Sequence, residues 1–242
     1  MPPRDKTAAK AKTSLPRLDG RRERALAPGG IVAGIDEAGR GPLAGPVVCA
    51  AVVFHGPVPR GLADSKLLEP ARREELYGLV LERAHVAVAS AGPDEIDRHN
   101  IRGATLRAMC RALLALPCAP SLALVDGRDV PPGLTCEGRA IVGGDASIAA
   151  IAAASIVAKV MRDRIMTRLD AAHPAYGFAR HMGYSTPEHM AALAAHGPCP
   201  AHRRSFAPVR AALPEAERLA VEARLERARM EKAGAQADLL LL

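Results

Sequence analysis

A layered α/β fold, a mixed sheet covered by helices on both faces, is what this sequence predicts, and three observations lead there. With 49% apolar residues, a chain of 242 has ample material for a core. Short β-branched runs bounded by glycine and proline open the folded region. Longer segments with helical spacing then alternate with further short runs, the pattern of a sheet with helices packed on it.

In chain order, the apolar run from Ile31 to Ile35 reads as a strand that stops in a Gly/Pro-rich corner. "VVCAAVVF" from Val47 is a second strand, placed as its hairpin neighbour. "EPARREELYGLVLERA" from Glu69 is predicted helical, with Pro70 in the first turn, where a missing N–H does no harm. "HVAVASA" from His85 alternates as a third strand. "IRGATLRAMCRALLAL" from Ile101 is a second amphipathic helix, ended by Pro117. Two further strands follow, "LALV" and a short "AIV", separated by a Pro/Gly loop. A long helix runs from Ala146, and a last one from about Pro214 to Lys232 is charged on most sides and packs through a narrow stripe. There is no internal repeat.

Composition narrows the function classes. No run approaches the length needed to span a bilayer, and the N-terminus lacks the apolar stretch of a signal peptide, so neither a membrane nor an export role is expected. Five cysteines, odd in number and widely spaced, argue against a disulfide framework and for the cytoplasm. The formal net charge is +7, with a pI near 9.5, which suits a polyanionic partner. Most of that excess lies before Pro28, where Arg4, Lys6, Lys10, Lys12, Arg17, Arg21, Arg22 and Arg24 face only Asp5, Asp19 and Glu23. Residues 1–28 therefore read as a disordered basic arm, either inert or a weak nucleic-acid tether. Residues 29–212 are the expected main folded domain, and 213–242 a C-terminal helix and tail.

The chemistry centres on "IVAGIDEAGRGPLAG". Asp36 and Glu37 close an apolar run and are followed at once by Gly39-Arg40-Gly41. In a regular strand neighbouring side chains point to opposite faces, so both acids serve one site only if the strand ends there and the chain turns. The glycines supply that turn and let the backbone approach a ligand closely. A dinucleotide-binding loop is disfavoured: the glycine spacing is wrong and a strand, not a helix, follows. Two further acids stand at element ends, Asp126 after "LALV" and Asp145 before the long helix. Each has an ordinary reading, Asp126 as half of an Asp-Gly turn and Asp145 as a helix N-cap. Together the four make the oxygen-rich set that hard divalent cations prefer. Structural zinc is disfavoured, because His196, Cys199 and His202 lack an obvious fourth ligand. Lys66, Lys159, Tyr184, Arg203 and Arg204 suit phosphate and sugar contacts.

The order of motifs, "GIDEAGRGPLAGPV", "DSKLL", "DEIDRHNI", "LVDG", "GGDASIAAIAAASIVAKVMRD", "YGFARHMGY" and "HRRSF", resembles bacterial ribonuclease HII from about Gly29 to Val209. The resemblance implies a ribonuclease H-like mixed five-stranded sheet flanked by helices, with a C-terminal helical extension. It implies hydrolysis of the RNA strand of RNA–DNA hybrids, incision beside ribonucleotides embedded in duplex DNA, and two divalent ions, Mn²⁺ or Mg²⁺, held by Asp36, Glu37, Asp126 and Asp145. The Gly39-Arg40-Gly41 turn is then expected against the 2′-hydroxyl of the ribonucleotide. Tyr184 is expected against the sugar of the following deoxynucleotide, and Lys66, Ser155 and Lys159 in substrate contact. The partners implied are the hybrid and ribonucleotide-bearing duplexes, approached by a monomer. A hybrid-binding protein without catalysis and a DNA-cutting nuclease of the same fold are the competing readings. Two departures remove positive charge: the family's common Lys-Gly-Tyr is Met182-Gly183-Tyr184, and a frequent second lysine after "DSK" is Leu67.

Overall fold

The computed structural model describes residues 18–239, with side chains as far as residue 231. A five-stranded sheet has the order β3-β2-β1-β4-β5, made by β1 (Val32–Ala38), β2 (Val47–Phe54), β3 (Ala84–Ala91), β4 (Leu122–Asp126) and β5 (Glu137–Ile141). β1 pairs antiparallel with β2, and β2 with β3, whereas β4 and β5 add in parallel. The sheet is mixed and five-stranded, as expected. In the parallel pair Ile35 lies opposite Val125, the last paired positions of β1 and β4, so the next residues, Asp36 and Asp126, stand side by side where that pairing ends.

Helices α1 (Arg21–Leu26), α2 (Pro70–Arg83), α3 (Pro93–Leu114) and α4 (Ala149–Ala172) surround it, and α5 (Phe178–His181), α6 (Pro187–His196), α7 (Ala207–Ala211) and α8 (Glu215–Leu239) form the C-terminal extension. α3 covers one face, where Ala104, Ala108 and Ala112 meet Ala33, Ile35, Cys49 and Ala51. α2 and α4 cover the other, where Leu76, Val80 and the alanines of α4 meet Ala50 and Val52. β2 is buried from Val47 to Val53 because both faces are covered, which explains a run with no polar alternation. α4 lies very close to β1. A Cβ on Gly34 would fall 2.2 Å from the carbonyl carbon of Ala150, so only glycine fits beneath this helix.

Three elements depart from the sequence expectation. α3 starts at Pro93, not Ile101; its first part is broken from its second at Asn100 (φ 54°, ψ 168°), and only the second carries the periodic apolar face. α4 starts at Ala149, not Ala146, and Asp145 sits in a separate 3₁₀ turn, Gly144–Ala146, so it does not cap the long helix. The cap comes from the arm. Glu23, buried in α1, accepts the backbone N–H of Ala150 at 2.9 Å, and Leu18 packs into the α2–α4 core, so residues 18–27 belong to the folded body. The rest of the expected arm, residues 1–17, lies outside the described residues. No described helix is long and apolar enough to cross a membrane.

Candidate active site

The carboxyl ends of β1 and β4 and the 3₁₀ turn before α4 place Asp36, Asp126 and Asp145 together. One oxygen from each lies within 4.8 Å of the others, and this is the group of ligating side chains found among the described residues. Backbone N–H groups orient two of them: Asp36 Oδ1 accepts from Glu37 at 2.7 Å, and Asp126 Oδ1 accepts from Gly144 at 2.7 Å. Glu37 does not join the three. β1 continues to Ala38, so the alternation of the strand holds and Glu37 turns to the α3 side, where its Oε1 lies 3.4 Å from Arg40 Nη1. There it lines a shallow depression with Arg40, Thr105, Arg128 and Asp126. Asp126 thus borders both the aspartate cluster and the surroundings of Glu37.

The electrostatics of this arrangement favour a cation. Burial first, then the charges of Glu37 and Asp126, pushes the Asp36 carboxyl well above the usual carboxylate range. Burial and Asp126 also raise Asp145, with Asp64 adding to the effect and Lys66 opposing it. Glu37 is raised by burial, against the pull of Arg40. Lys66 loses some proton affinity to partial burial, yet the charges of Asp64, Asp36, Asp145 and Asp126 outweigh that loss and raise it. Asp64 is the acid that sequence reading missed. It stands beside Lys66 and accepts that residue's backbone N–H at 3.0 Å, and the "DSK" motif was its signal.

The turn after β1 is held from beneath by two buried arginines. Arg203 donates to the carbonyl oxygens of Gly39, Arg40, Pro42 and Gly45, and Arg162 to those of Ala44, Pro46 and Met182. Their hydrogen bonds go to carbonyl oxygens, and burial lowers each pKa, that of Arg203 to about 9, against the opposing pull of Asp163 on Arg162 and of Asp97 on Arg203. Arg203 is therefore a brace and makes no surface contact with phosphate, a correction to the expectation; Arg204 pairs with Glu217 at 2.6 Å. Gly39 has φ 94°, and a Cβ there would fall 1.9 Å from Arg162 Nε, so this brace requires glycine. Arg40 and Gly41 remain exposed.

The other expected contacts divide. Tyr184 is 47% exposed, and its ring borders Gly41, which excludes a packed core aromatic. Lys66 is exposed beside the aspartates. Ser155 is buried instead, donating to Ser65 Oγ at 2.8 Å and lying beside Asp36. Lys159 is held by Asp163 at 2.7 Å, with Arg73 also near that carboxylate. Met182 packs against the cluster of Met166, Tyr176 and Phe178, which accounts for an apolar residue where the family often has lysine. A cavity of about 1040 Å³ lies at the far end of β1, lined by Leu18, Ile31, Phe54 and Val58, and holds none of these acids.

The family model for ribonuclease HII matches residues 33–209. The chain belongs to the ribonuclease HII family. It is 63% identical over 196 residues to the ribonuclease HII of Xanthobacter autotrophicus, covering 80% of this chain and 78% of that one. It is 55% identical over 213 residues to that of Parvibaculum lavamentivorans, covering 87% and 79%. Among solved structures it resembles ribonuclease H2 of Pyrococcus horikoshii, with a TM-score of 0.65 and 30% identity, over 75% of this chain and 96% of that one. The protein is thus a ribonuclease H, and the ribonuclease H-like fold of the family is the one described above.

Proposed function

We propose that this ribonuclease hydrolyses the RNA strand of RNA–DNA hybrids and incises duplex DNA on the 5′ side of embedded ribonucleotides, leaving 3′-hydroxyl and 5′-phosphate ends. The observation that carries the reading is the convergence of Asp36, Asp126 and Asp145 beside the exposed Arg40-Gly41 turn and Tyr184. The donor set fits Mn²⁺ or Mg²⁺: hard carboxylate oxygens, crowded enough that Asp126 helps raise the pKa of both Asp36 and Asp145, gain most from a divalent charge placed among them. Asp36, Asp126 and Asp145 would hold such ions, with Glu37 reaching a second one from the α3 side. When bound, two such ions supply an activated water and stabilise the departing 3′ oxygen.

The chain's own groups do the rest. Lys66 offsets the negative field of the aspartates and offers a cation to an incoming phosphate. The Gly39-Arg40-Gly41 backbone, braced by Arg203, presents a rigid edge to the 2′-hydroxyl. Tyr184 packs on the sugar that follows, where a 2′-hydroxyl would be crowded and lose its hydration. Ser155, beside Asp36, and Lys159, about one turn further along α4, complete the substrate contacts of this reading. The reading includes a monomer acting in the cytoplasm, in keeping with five free cysteines.

Matched duplexes carrying zero, one or four ribonucleotides in one strand, incubated with Mg²⁺ or Mn²⁺, test the proposal. Cleavage of both ribonucleotide-bearing duplexes and not of all-DNA is expected. Binding to both without cleavage would leave a hybrid-binding protein, and cutting of the all-DNA duplex would leave a general nuclease.

A further inference from the structure

Three histidines that play no part in the chemistry above are buried under Tyr184. His189 is fully buried, His202 is 1% exposed and His181 8% exposed. They come from three places in the C-terminal extension: the end of α5, the first turn of α6, and the loop after Cys199. Their rings pack with Tyr176 and Phe178, and His181 stacks on His189 with centroids 4.5 Å apart.

The hydrogen bonds fix where the protons are. His189 Nδ1 lies 2.9 Å from the carbonyl oxygen of Tyr184, which can only accept, so Nδ1 carries the proton. In a neutral ring Nε2 is then bare. It lies 3.0 Å from His202 Nε2, which must therefore be the protonated nitrogen of its own ring. That leaves His202 Nδ1 bare, and it faces the backbone N–H of Cys199 at 3.0 Å, which can only donate. Both ends of the chain impose the same direction: Cys199 N–H to His202 to His189 to the Tyr184 carbonyl. A second proton on either ring would put two N–H groups face to face. Burial keeps both neutral, lowering His189 and pushing His202 down to about 4.

All of this ends on a short piece of backbone. The Tyr184 carbonyl also accepts from Thr186 N–H at 2.8 Å, and the Tyr184 N–H donates to the His181 carbonyl at 2.9 Å. Gly183 N–H donates to His181 Nδ1 at 3.2 Å, and the Gly183 carbonyl accepts from Leu43 N–H at 2.8 Å. The exposed tyrosine ring thus rides on a backbone fixed from its buried side and tied to the turn after β1. An apolar core would fill the space at a lower desolvation cost than three imidazoles. What imidazoles add is direction, because each bond dictates the next.

We propose that His189 and His202 are positioning residues for Tyr184, a directional pair of neutral imidazoles that sets how strongly the enzyme prefers a deoxyribonucleotide after the ribonucleotide. The inference rests on the reading of Tyr184 as the group that packs on that sugar. Its test compares kcat/KM for a single embedded ribonucleotide with kcat/KM for a continuous RNA strand. His189→Leu removes the donor to Tyr184 and should lower this ratio roughly three- to tenfold, the worth of one hydrogen bond. His189→Asn, whose amide can replace Nδ1, should restore it. Tyr184→Ala is run alongside, and adding His189→Leu to it should lower the ratio no further. If Tyr184→Ala lowers the ratio and His189→Leu does not, the positioning role is overturned and the tyrosine reading stands. If Tyr184→Ala itself leaves the ratio unchanged, both fall. Long-range ¹H–¹⁵N spectra of the unmodified protein give a check that needs no variant to fold: the proton on Nδ1 of His189 and on Nε2 of His202 is expected, and His189 protonated on Nε2 would overturn the inference.

Discussion

Asp36 is nearly buried, bonded to the backbone at one oxygen, and surrounded by other acids, so its charge is expensive until a cation arrives. Because its folded pKa lies above the unfolded value, its ionisation removes stability as pH rises above the carboxylate range. Asp36→Asn should therefore do two opposite things. Cleavage should fall by roughly a hundredfold or more, since a charged ligand is gone. The metal-free melting temperature at pH 8 should rise by a few degrees, an advantage that shrinks toward the unfolded carboxylate pKa of about 4. Mn²⁺ should raise the melting temperature of the wild type more than that of the variant. A variant that melts lower than wild type without metal would mean that Asp36 serves the fold rather than the ion. The three converging aspartates were legible in the sequence because Asp36 and Asp126 end apolar runs and Asp145 stands just ahead of a long helix. The separation of Glu37 was legible only as a condition, that the strand stop at Asp36, and β1 does not stop there. The partners of Ser155 and Lys159, Ser65 and Asp163, were not legible, because they are set by packing that spacing does not report.

Between residue and fold stand the elements, and α4 shows how one is placed. Its alanines let it settle on β1 above Gly34, which brings Ser155 to Asp36 and the preceding 3₁₀ turn to Asp126. Its first turn is capped by Glu23, 127 residues earlier in the chain, a pairing that no local pattern announces. Asp145 has the right residue type at nearly the right place, which is why a cap is its ordinary alternative reading. The strands were the most legible elements, being short, β-branched and bounded by turn residues. The start of α3 was not, since the first part, up to the break at Asn100, is mostly polar and lacks an apolar face of its own. Glu23→Ala should cost about 1–2 kcal/mol by leaving a buried N–H without its acceptor, lowering the melting temperature by roughly 2–8 °C. Glu23→Gln keeps an acceptor oxygen and should recover most of that loss. Equal melting temperatures for the alanine variant and wild type would show that water replaces the cap.

At the scale of the whole molecule the charge distribution and the fold divide the N-terminal region at a different place from the sequence pattern. Basic composition runs on to Arg24, but among the described residues Leu18 already packs into the core, followed by α1 and its buried glutamate. Two truncations separate what the two parts do. Removing residues 1–17 takes away Arg4, Lys6, Lys10, Lys12 and Arg17 against Asp5 alone, and leaves the cap of α4 intact. If those cations meet phosphates, hybrid binding should weaken and its logarithmic dependence on salt should flatten by up to about 4, with the melting temperature unchanged. Removing residues 1–27 should flatten the dependence little further, because only a small excess of charge remains there. It should instead lower the melting temperature by more than Glu23→Ala does, since α1 and the packing of Leu18 go with the cap. Salt titrations of binding and thermal melts on both truncations decide the matter: equal melting of the two would place the fold boundary after α1, and an unchanged salt slope in the shorter deletion would make the basic arm a bystander to nucleic acid.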